Sequence, residues 1–275
     1  CGQLNPISEL MYTVLADVLL DVAAAFPGSP YVHLGFDEVN YQCWTSDPSI
    51  AAYLKAYNRS VADVLEQFFT RERELLDAAF HQQNTTATGG EFVPTKAAMY
   101  WDEVVSAGLH TKLRPHDTVQ FWHDSASELL QHYLSATPAT NTAIVSTYSA
   151  YYLDCGTGNE FGSQSWCDPY KSWRTIYLND PLKGVASSQR ERIIGGEVAL
   201  WSEVAGPGSI GAKLWPRASA YGSRLWNYEA GVAADVVELE MDLGTLAMSM
   251  QRRGIPCDLI VPEFCLHNQE LCFQS

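Results

Sequence analysis

Apolar side chains recur at Leu10, Val14, Val18 and Val22, a spacing that predicts an amphipathic helix stopped at Pro27-Gly28. The next stretch, from Tyr31, is a short apolar run of the kind that forms a buried strand. It breaks into adjacent carboxylates, Asp37 and Glu38. A second helix is predicted from about Ser60, with Val61, Val64, Leu65, Phe68, Leu75, Ala79 and Phe80 on one face and Arg71, Glu72, Arg73 and Glu74 on a solvated one. The polar, glycine-rich residues 84–90 read as a loop. Four more apolar runs follow, at 97–101, 118–122, 143–147 and 193–201. Helical patterns at 127–134 and 214–226 separate some of them. In the second, Leu214, Ala218, Tyr221 and Leu225 share the packing face, and Trp215 and Trp226 are expected in the core.

Strand and helix alternate, and aromatic or acidic residues close the strands: Trp101 before Asp102-Glu103, Trp122 before His123-Asp124, and Trp201 before Ser202-Glu203. That is the pattern of an α/β fold of the (β/α)8 TIM barrel type, in which chemistry collects at the C-terminal ends of the strands. Five strands are countable, against eight in a closed barrel.

A formal charge of −15 opposes binding to nucleic acid or anionic membranes. The most apolar helix, from Val14 to Phe26, is interrupted by Asp17 and Asp21, so no membrane span is expected. The chain opens at Cys1 and is expected to be a processed or truncated piece. Its seven cysteines lack Cys-x-x-Cys spacing, which argues for disulfides over a metal centre. With sequons at Asn58 and Asn84 they favour a secreted or lysosomal protein.

His33-Leu34-Gly35-Phe36-Asp37-Glu38 resembles the His-x-Gly-Gly-Asp-Glu signature of the family 20 glycoside hydrolases, the β-N-acetylhexosaminidases. Phe36 stands in place of the second glycine, which is expected to let a helix pack close to the strand. By alternation Phe36 should face the outer shell. Further segments resemble the family from Gly2-Gln3-Leu4-Asn5-Pro6 onward. They include Tyr152-Leu153-Asp154, Leu214-Trp215-Pro216-Arg217, and Arg224-Leu225-Trp226, where Ser223 replaces a glutamate and leaves Arg224 short of a partner. The resemblance makes residues 1–275 the C-terminal portion of the catalytic barrel, covering about strands 4 to 8. Strands 1 to 3 and any preceding domain would be absent and would have to be supplied to complete it. It also makes a homodimer through the barrel's outer face one assembly to expect.

The resemblance implies substrate-assisted retaining hydrolysis, with the N-acetyl oxygen attacking C1 to give an oxazolinium ion. Glu38 would protonate the leaving oxygen and then activate water. Asp37 would stay ionised, accept the acetamido N–H and stabilise the developing positive charge. Tyr152 would hydrogen-bond the acetamido carbonyl. Trp101, Trp122 and Trp201 would wall the sugar, and Asp154 and Glu203 would bind its hydroxyls. The same resemblance pairs Cys1 with Cys43 and Cys265 with Cys272, leaving Cys257 free. A Cys155–Cys167 bridge would stiffen the long loop after Asp154. Trp166 beside it is either a platform for a second sugar or a residue packed on the bridge.

The expected activity is exo-hydrolysis of terminal β-linked GlcNAc, or GalNAc, from chitooligosaccharides or glycoconjugates, without metal or cofactor. Aspartate at 154 is associated with arthropod and chitin-directed members. A glycan-binding relative that has lost catalysis is the alternative, supported by Phe36 and the absent first three strands.

Overall fold

The computed structural model describes residues 2–87, 96–123, 128–156, 158–160, 163–164, 166–228 and 236–272. The chain divides into two compact units, Cys1–Gln120 with Glu128–Ala143, and Phe121–Ser127 with Ile144–Ser275. The main sheet has the hydrogen-bonded order β1-β2-β3-β4-β7. Its strands are β1 (Tyr31–His33), β2 (Ala97–Trp101), β3 (Thr118–Phe121), β4 (Thr142–Val145) and β7 (Ile193–Gly196). All five fall in the apolar runs. A short antiparallel pair, β5 (Asn159–Glu160) and β6 (Ser163–Gln164), lies between β4 and β7 in the chain.

In the first unit β1 pairs with β2 and β2 with β3, both in parallel, with Trp101 opposite Gln120. Helices α1 (Glu9–Ala25), α2 (Tyr41–Ser46), α3 (Pro48–Ala56), α4 (Val61–Ala87), α5 (Glu103–Ser106) and α6 (Glu128–Ala136) complete it. The Ser8 hydroxyl caps α1 by accepting the Met11 N–H. The helix forms as predicted, but its buried face is Tyr12, Leu19 and Ala23, while Leu10, Val14 and Val18 are exposed. The tyrosine decides the rotation. Its ring lies 6.1 Å from Phe68 of α4, and the Arg71 guanidinium, paired with Glu9 at 2.7 Å, stacks over it.

The sequon Asn58-Arg59-Ser60 also has a backbone role. Asn58, exposed and at φ 49°, ends α3: its N–H reaches Lys55 O and the Arg59 N–H reaches Leu54 O. Ser60 then starts α4, exchanging hydrogen bonds with Asp63 in a capping box. Helix α4 runs on to Ala87 instead of giving way to a loop at Asn84, since no glycine or proline interrupts it before Gly89.

The second correction on α4 concerns Glu72 and Arg73, which are buried, not solvated. The face through Leu65, Phe69 and Leu76 passes over them at helical spacing. Arg73 finds Asp77 at 2.7 Å, Asp117 at 3.3 Å and the Lys96 carbonyl. The Glu72 Oε2 has no hydrogen-bond partner among the described residues, and burial pushes its carboxyl up to about 8. The folded state therefore holds a proton that the unfolded chain releases near the ordinary glutamate value. Stability should fall as pH rises from about 4.5 to about 8, at no more than about 1.4 kcal/mol per pH unit. Urea midpoints at pH 5 and pH 8.5 check this, and Glu72→Gln should flatten the difference. An equal pH dependence in the variant would assign it to other groups.

The second unit holds α7 (Tyr148–Tyr151), α8 (Trp173–Leu178), α9 (Ile210–Leu214), α10 (Arg217–Trp226), α11 (Val236–Arg252), α12 (Glu263–His267) and α13 (Gln269–Cys272). Its core joins Val145, Tyr151, Leu153, Ile176 and Tyr221. Tyr151 and Tyr221 stack at 3.9 Å, and the Tyr221 hydroxyl donates to the Val145 carbonyl at 2.9 Å. Of the expected packing face, Leu214 at the end of α9 and Ala218 and Leu225 on α10 lie against this core. Trp226 does not: it is 94% exposed, one residue and about 100° around the helix from Leu225. Trp215 is only half-buried, in the connection between α9 and α10. Arg224 keeps partners despite Ser223, with Asp180 at 3.8 Å and the Tyr228 ring at 4.7 Å.

Candidate active site

In the first unit the strand ends at His33, and the acid pair sits on a turn just beyond it. Gly35 (φ 76°), Phe36 (φ 83°) and Glu38 (φ 49°) all lie in the left-handed region. Positive φ is rare for a bulky residue, and at Phe36 it costs about 1 to 2 kcal/mol. A glycine at this position would adopt the same backbone without that strain. Burial offsets the strain here. The Phe36 ring is 8% exposed and lies 5.4 Å from Phe69, 6.3 Å from Phe68 and 6.4 Å from Tyr100, in the outer shell as expected.

Hydrogen bonds hold the turn at both ends. The Leu34 N–H donates to Met99 O at 2.8 Å and the Trp101 N–H to Gly35 O at 2.9 Å. The Gly35 N–H donates to His33 Nδ1 at 2.9 Å. The Glu38 N–H points to Glu103 Oε1 at 3.4 Å, and the Gln3 side-chain amide donates to the Glu38 carbonyl at 3.3 Å. Asp37 and Glu38 expose their side chains. A side chain at Gly35 would meet Asp37 Oδ1 at 3.6 Å, so the carboxylate leans back over the glycine. Glu38 borders a cavity of about 320 Å³ lined also by Phe36, Tyr41, Leu65 and Glu103.

The His33 ring lies 4.7 Å from the Trp101 indole at 52°. It presents some surface to solvent, yet desolvation by the surrounding protein pulls its pKa down to about 4, against the charge of Asp37 and a hydrogen bond with the Gln120 side chain. The imidazole is neutral at neutral pH.

In the second unit the aromatic residues assemble around Tyr152, which is buried. Trp122 stacks on it at 6.3 Å and 17°, while Trp201 at 6.0 Å and Trp166 at 6.0 Å meet it edge-on. Trp166 also lies 5.9 Å from Trp122 and 5.0 Å from Tyr148. It is 60% exposed, and Trp201 40%. Asp154 is buried beneath them and accepts the Trp201 N–H at 3.3 Å. Burial, with the nearby charge of Glu203, raises its pKa. Glu203 is exposed.

The loop after Asp154 is stapled by a Cys155–Cys167 disulfide. Gly156, at φ 83°, accommodates the close approach of Tyr170, whose Cα would lie 2.1 Å from any added Cβ. The Gly156 N–H donates to Asp168 Oδ1 at 2.7 Å and Lys171 Nζ to Cys167 O at 3.0 Å. Cys265 pairs with Cys272, and Cys257 is free and buried. Cys43 is disulfide-bonded, while Cys1, its expected partner, lies outside the described residues.

Of the expected wall residues, Trp122 and Trp201 meet at Tyr152, whereas Trp101 lies beside His33 in the first unit. Three further residues stand out beside the expected ones. Tyr148 joins the aromatic cluster and was marked only by its place just after a strand. His33 and Arg217 were parts of motifs without a role; His33 accepts the Gly35 N–H, and Arg217 donates to the Lys213, Lys171 and Leu153 carbonyls.

Comparison with known proteins gives a match to the family described as "Glycosyl hydrolase family 20, catalytic domain" over residues 1–229. A "Chitooligosaccharidolytic beta-N-acetylglucosaminidase" of Bombyx mori is 31% identical over 279 residues, covering 99% of this chain and 44% of the relative. The "Beta-hexosaminidase subunit beta" of Homo sapiens is 27% identical over 272 residues, covering 97% of this chain and 42% of the relative. Among solved structures, the β-N-acetylhexosaminidase of Streptomyces coelicolor superposes with a TM-score of 0.66 at 19% identity, over 95% of this chain and 45% of that one. The chain therefore spans less than half the length of these relatives. Its fold is theirs, a partial (β/α) barrel.

Proposed function

Since the chain belongs to glycosyl hydrolase family 20, we propose that it carries the acid pair and aromatic wall of a retaining exo-β-N-acetylhexosaminidase. The observation that carries this reading is the Asp37-Glu38 pair, set on a hydrogen-bonded left-handed turn at the end of β1. Glu38 protonates the departing oxygen and later activates water. Asp37 receives the acetamido N–H and offsets the charge of the oxazolinium ion. Trp101, Trp122 and Trp201 receive the sugar and its acetamido methyl, Tyr152 binds the acetamido carbonyl, and Asp154 and Glu203 bind hydroxyls. The exposed face of Trp166 supports the platform reading for a second sugar over packing on the bridge alone. The silkworm relative's name and Asp154 favour chitooligosaccharides as substrates. Disulfides favour a secreted or lysosomal setting.

Aryl β-GlcNAc and the matching aryl β-glucoside test the reading in the full natural protein. Only the first carries an internal nucleophile, and well-oriented internal attack is worth at least about 10²-fold. The GlcNAc substrate should therefore turn over at least about 100-fold faster. Equal rates would remove the substrate-assisted mechanism. GlcNAc binding without turnover would instead support the glycan-binding relative, the reading that the left-handed Phe36 favours.

A further inference from the structure

We propose that His33 is a positioning residue for the acid turn: its Nδ1 accepts the Gly35 N–H and so sets the left-handed backbone from which Asp37 and Glu38 project. The inference rests on the reading of Asp37 and Glu38 as the reacting carboxylates. Three observations meet on one imidazole. Nδ1 is the 2.9 Å acceptor for the first left-handed residue of the turn. An acceptor nitrogen requires the ring to be neutral with its proton on Nε2, and the Gln120 side chain takes a hydrogen bond from the ring. The Trp101 indole packs tilted against the ring at 4.7 Å and 52°.

The turn needs such a hold. Phe36 and Glu38 are side-chain-bearing residues at positive φ, a conformation they leave readily unless neighbours over-determine it. The regular strand ends at His33, and beyond it Gly35 is fixed by two bonds, its carbonyl to the Trp101 N–H of β2 and its N–H to His33. Losing the second frees the peptide to rotate toward negative φ, which carries Asp37 away from its place over Gly35. The depressed pKa of His33 agrees with a ring kept neutral for this purpose.

Three variants of the full natural protein test the assignment. In His33→Asn the Oδ1 stands at the same bond distance from the backbone as Nδ1. His33→Gln places its acceptor one atom farther out, and His33→Leu has none. Expected are a kcat for His33→Asn within about fivefold of native, and losses of about 100-fold for Gln and Leu with KM within about twofold, the signature of a displaced catalytic group. Affinity for a thiazoline analogue of the cyclised intermediate should fall in step with kcat, while affinity for the product GlcNAc holds. Asparagine as poor as leucine, or a leucine variant with native kcat, overturns the assignment.

Amide exchange at Gly35, followed with 15N-glycine labelling, decides the point without turnover. Exchange should be at least about 10-fold faster in the leucine variant and near native in the asparagine variant. Equal protection in all three overturns the role of His33. If the native protein hydrolyses nothing, the hydrolase reading falls, and the Gly35 measurement still settles whether His33 holds the turn.

Discussion

Glu38→Gln should lower kcat/KM on a GlcNAc glycoside with an alkyl leaving group by about 10³ to 10⁴, the upper range for removal of a general acid. That corresponds to about 4 to 5.5 kcal/mol of transition-state stabilisation. The size of the effect should depend on the leaving group. A dinitrophenolate departs without protonation, so the same variant should keep much of its rate of bond cleavage on a dinitrophenyl GlcNAc glycoside and slow instead at the water-activation step. Asp37→Asn acts at a different place. It weakens the acceptor for the acetamido N–H and the charge opposite the forming ring, so both substrates should lose similar factors, about 10² to 10³. Steady-state and burst kinetics on the two substrates separate the roles. A Glu38→Gln loss that ignores the leaving group would mean that Glu38 does not protonate the departing oxygen. Glu38 borders a cavity lined also by Phe36, Leu65 and Glu103.

The main strands were legible because each is a short apolar run closed by aromatic or acidic residues, and local patterning decides such segments. Trp101 and Trp122 were legible as strand-end residues for the same reason, whereas Asp37 and Trp201 lie beyond the strands' ends at His33 and Gly196. Long-range packing was not. The apolar stripe of Leu10, Val14 and Val18 has correct helical spacing and still faces outward, because Tyr12 locks against Phe68 and Arg71 of a helix more than fifty residues away. Glu72 and Arg73 read as surface charges because a row of charges usually is one. The distant Asp117 that receives Arg73 cannot be inferred from spacing. Backbone sign was equally hidden. Phe36 looked like a packing substitution in a strand, and it is a bulky residue in a glycine conformation beyond the strand's end. Its ring is buried against Phe68, Phe69 and Tyr100, a packing that no local pattern announces.

Arg217→Ala should destabilise the second unit by about 3 kcal/mol or more, given that hydrogen bonds to a charged group each contribute about 1.5 to 3 kcal/mol. Arg217 is 2% exposed and holds three carbonyls at once: Lys213 O through Nε at 3.0 Å, Lys171 O through Nη1 at 2.8 Å, and Leu153 O through Nη2 at 2.6 Å. Its guanidinium also covers the Tyr170 ring at 4.4 Å. Desolvation pulls its pKa down, opposed by Tyr170, Asp258 and Asp154, so the charge is held by its surroundings and not by water. One side chain therefore ties the start of α10 to both ends of the disulfide-stapled loop. Leu153 lies between Tyr152 and Asp154, so on the proposed function the same loss should reach residues proposed to contact the sugar and raise KM more than it lowers kcat. Arg217→Lys keeps the charge, but a single ammonium cannot span three carbonyls, and it should recover less than half of the loss. Urea denaturation measures the first effect and steady-state kinetics the second. Arg252→Ala is the control: its 3.5 Å pair with Glu263 is 71% and 63% exposed, and its removal should leave the urea midpoint unchanged. If Arg217→Ala moved the midpoint no more than Arg252→Ala, the three-carbonyl clamp would be a geometric coincidence, and the order of the Tyr152–Asp154 segment would have to come from the disulfide and the aromatic stack alone.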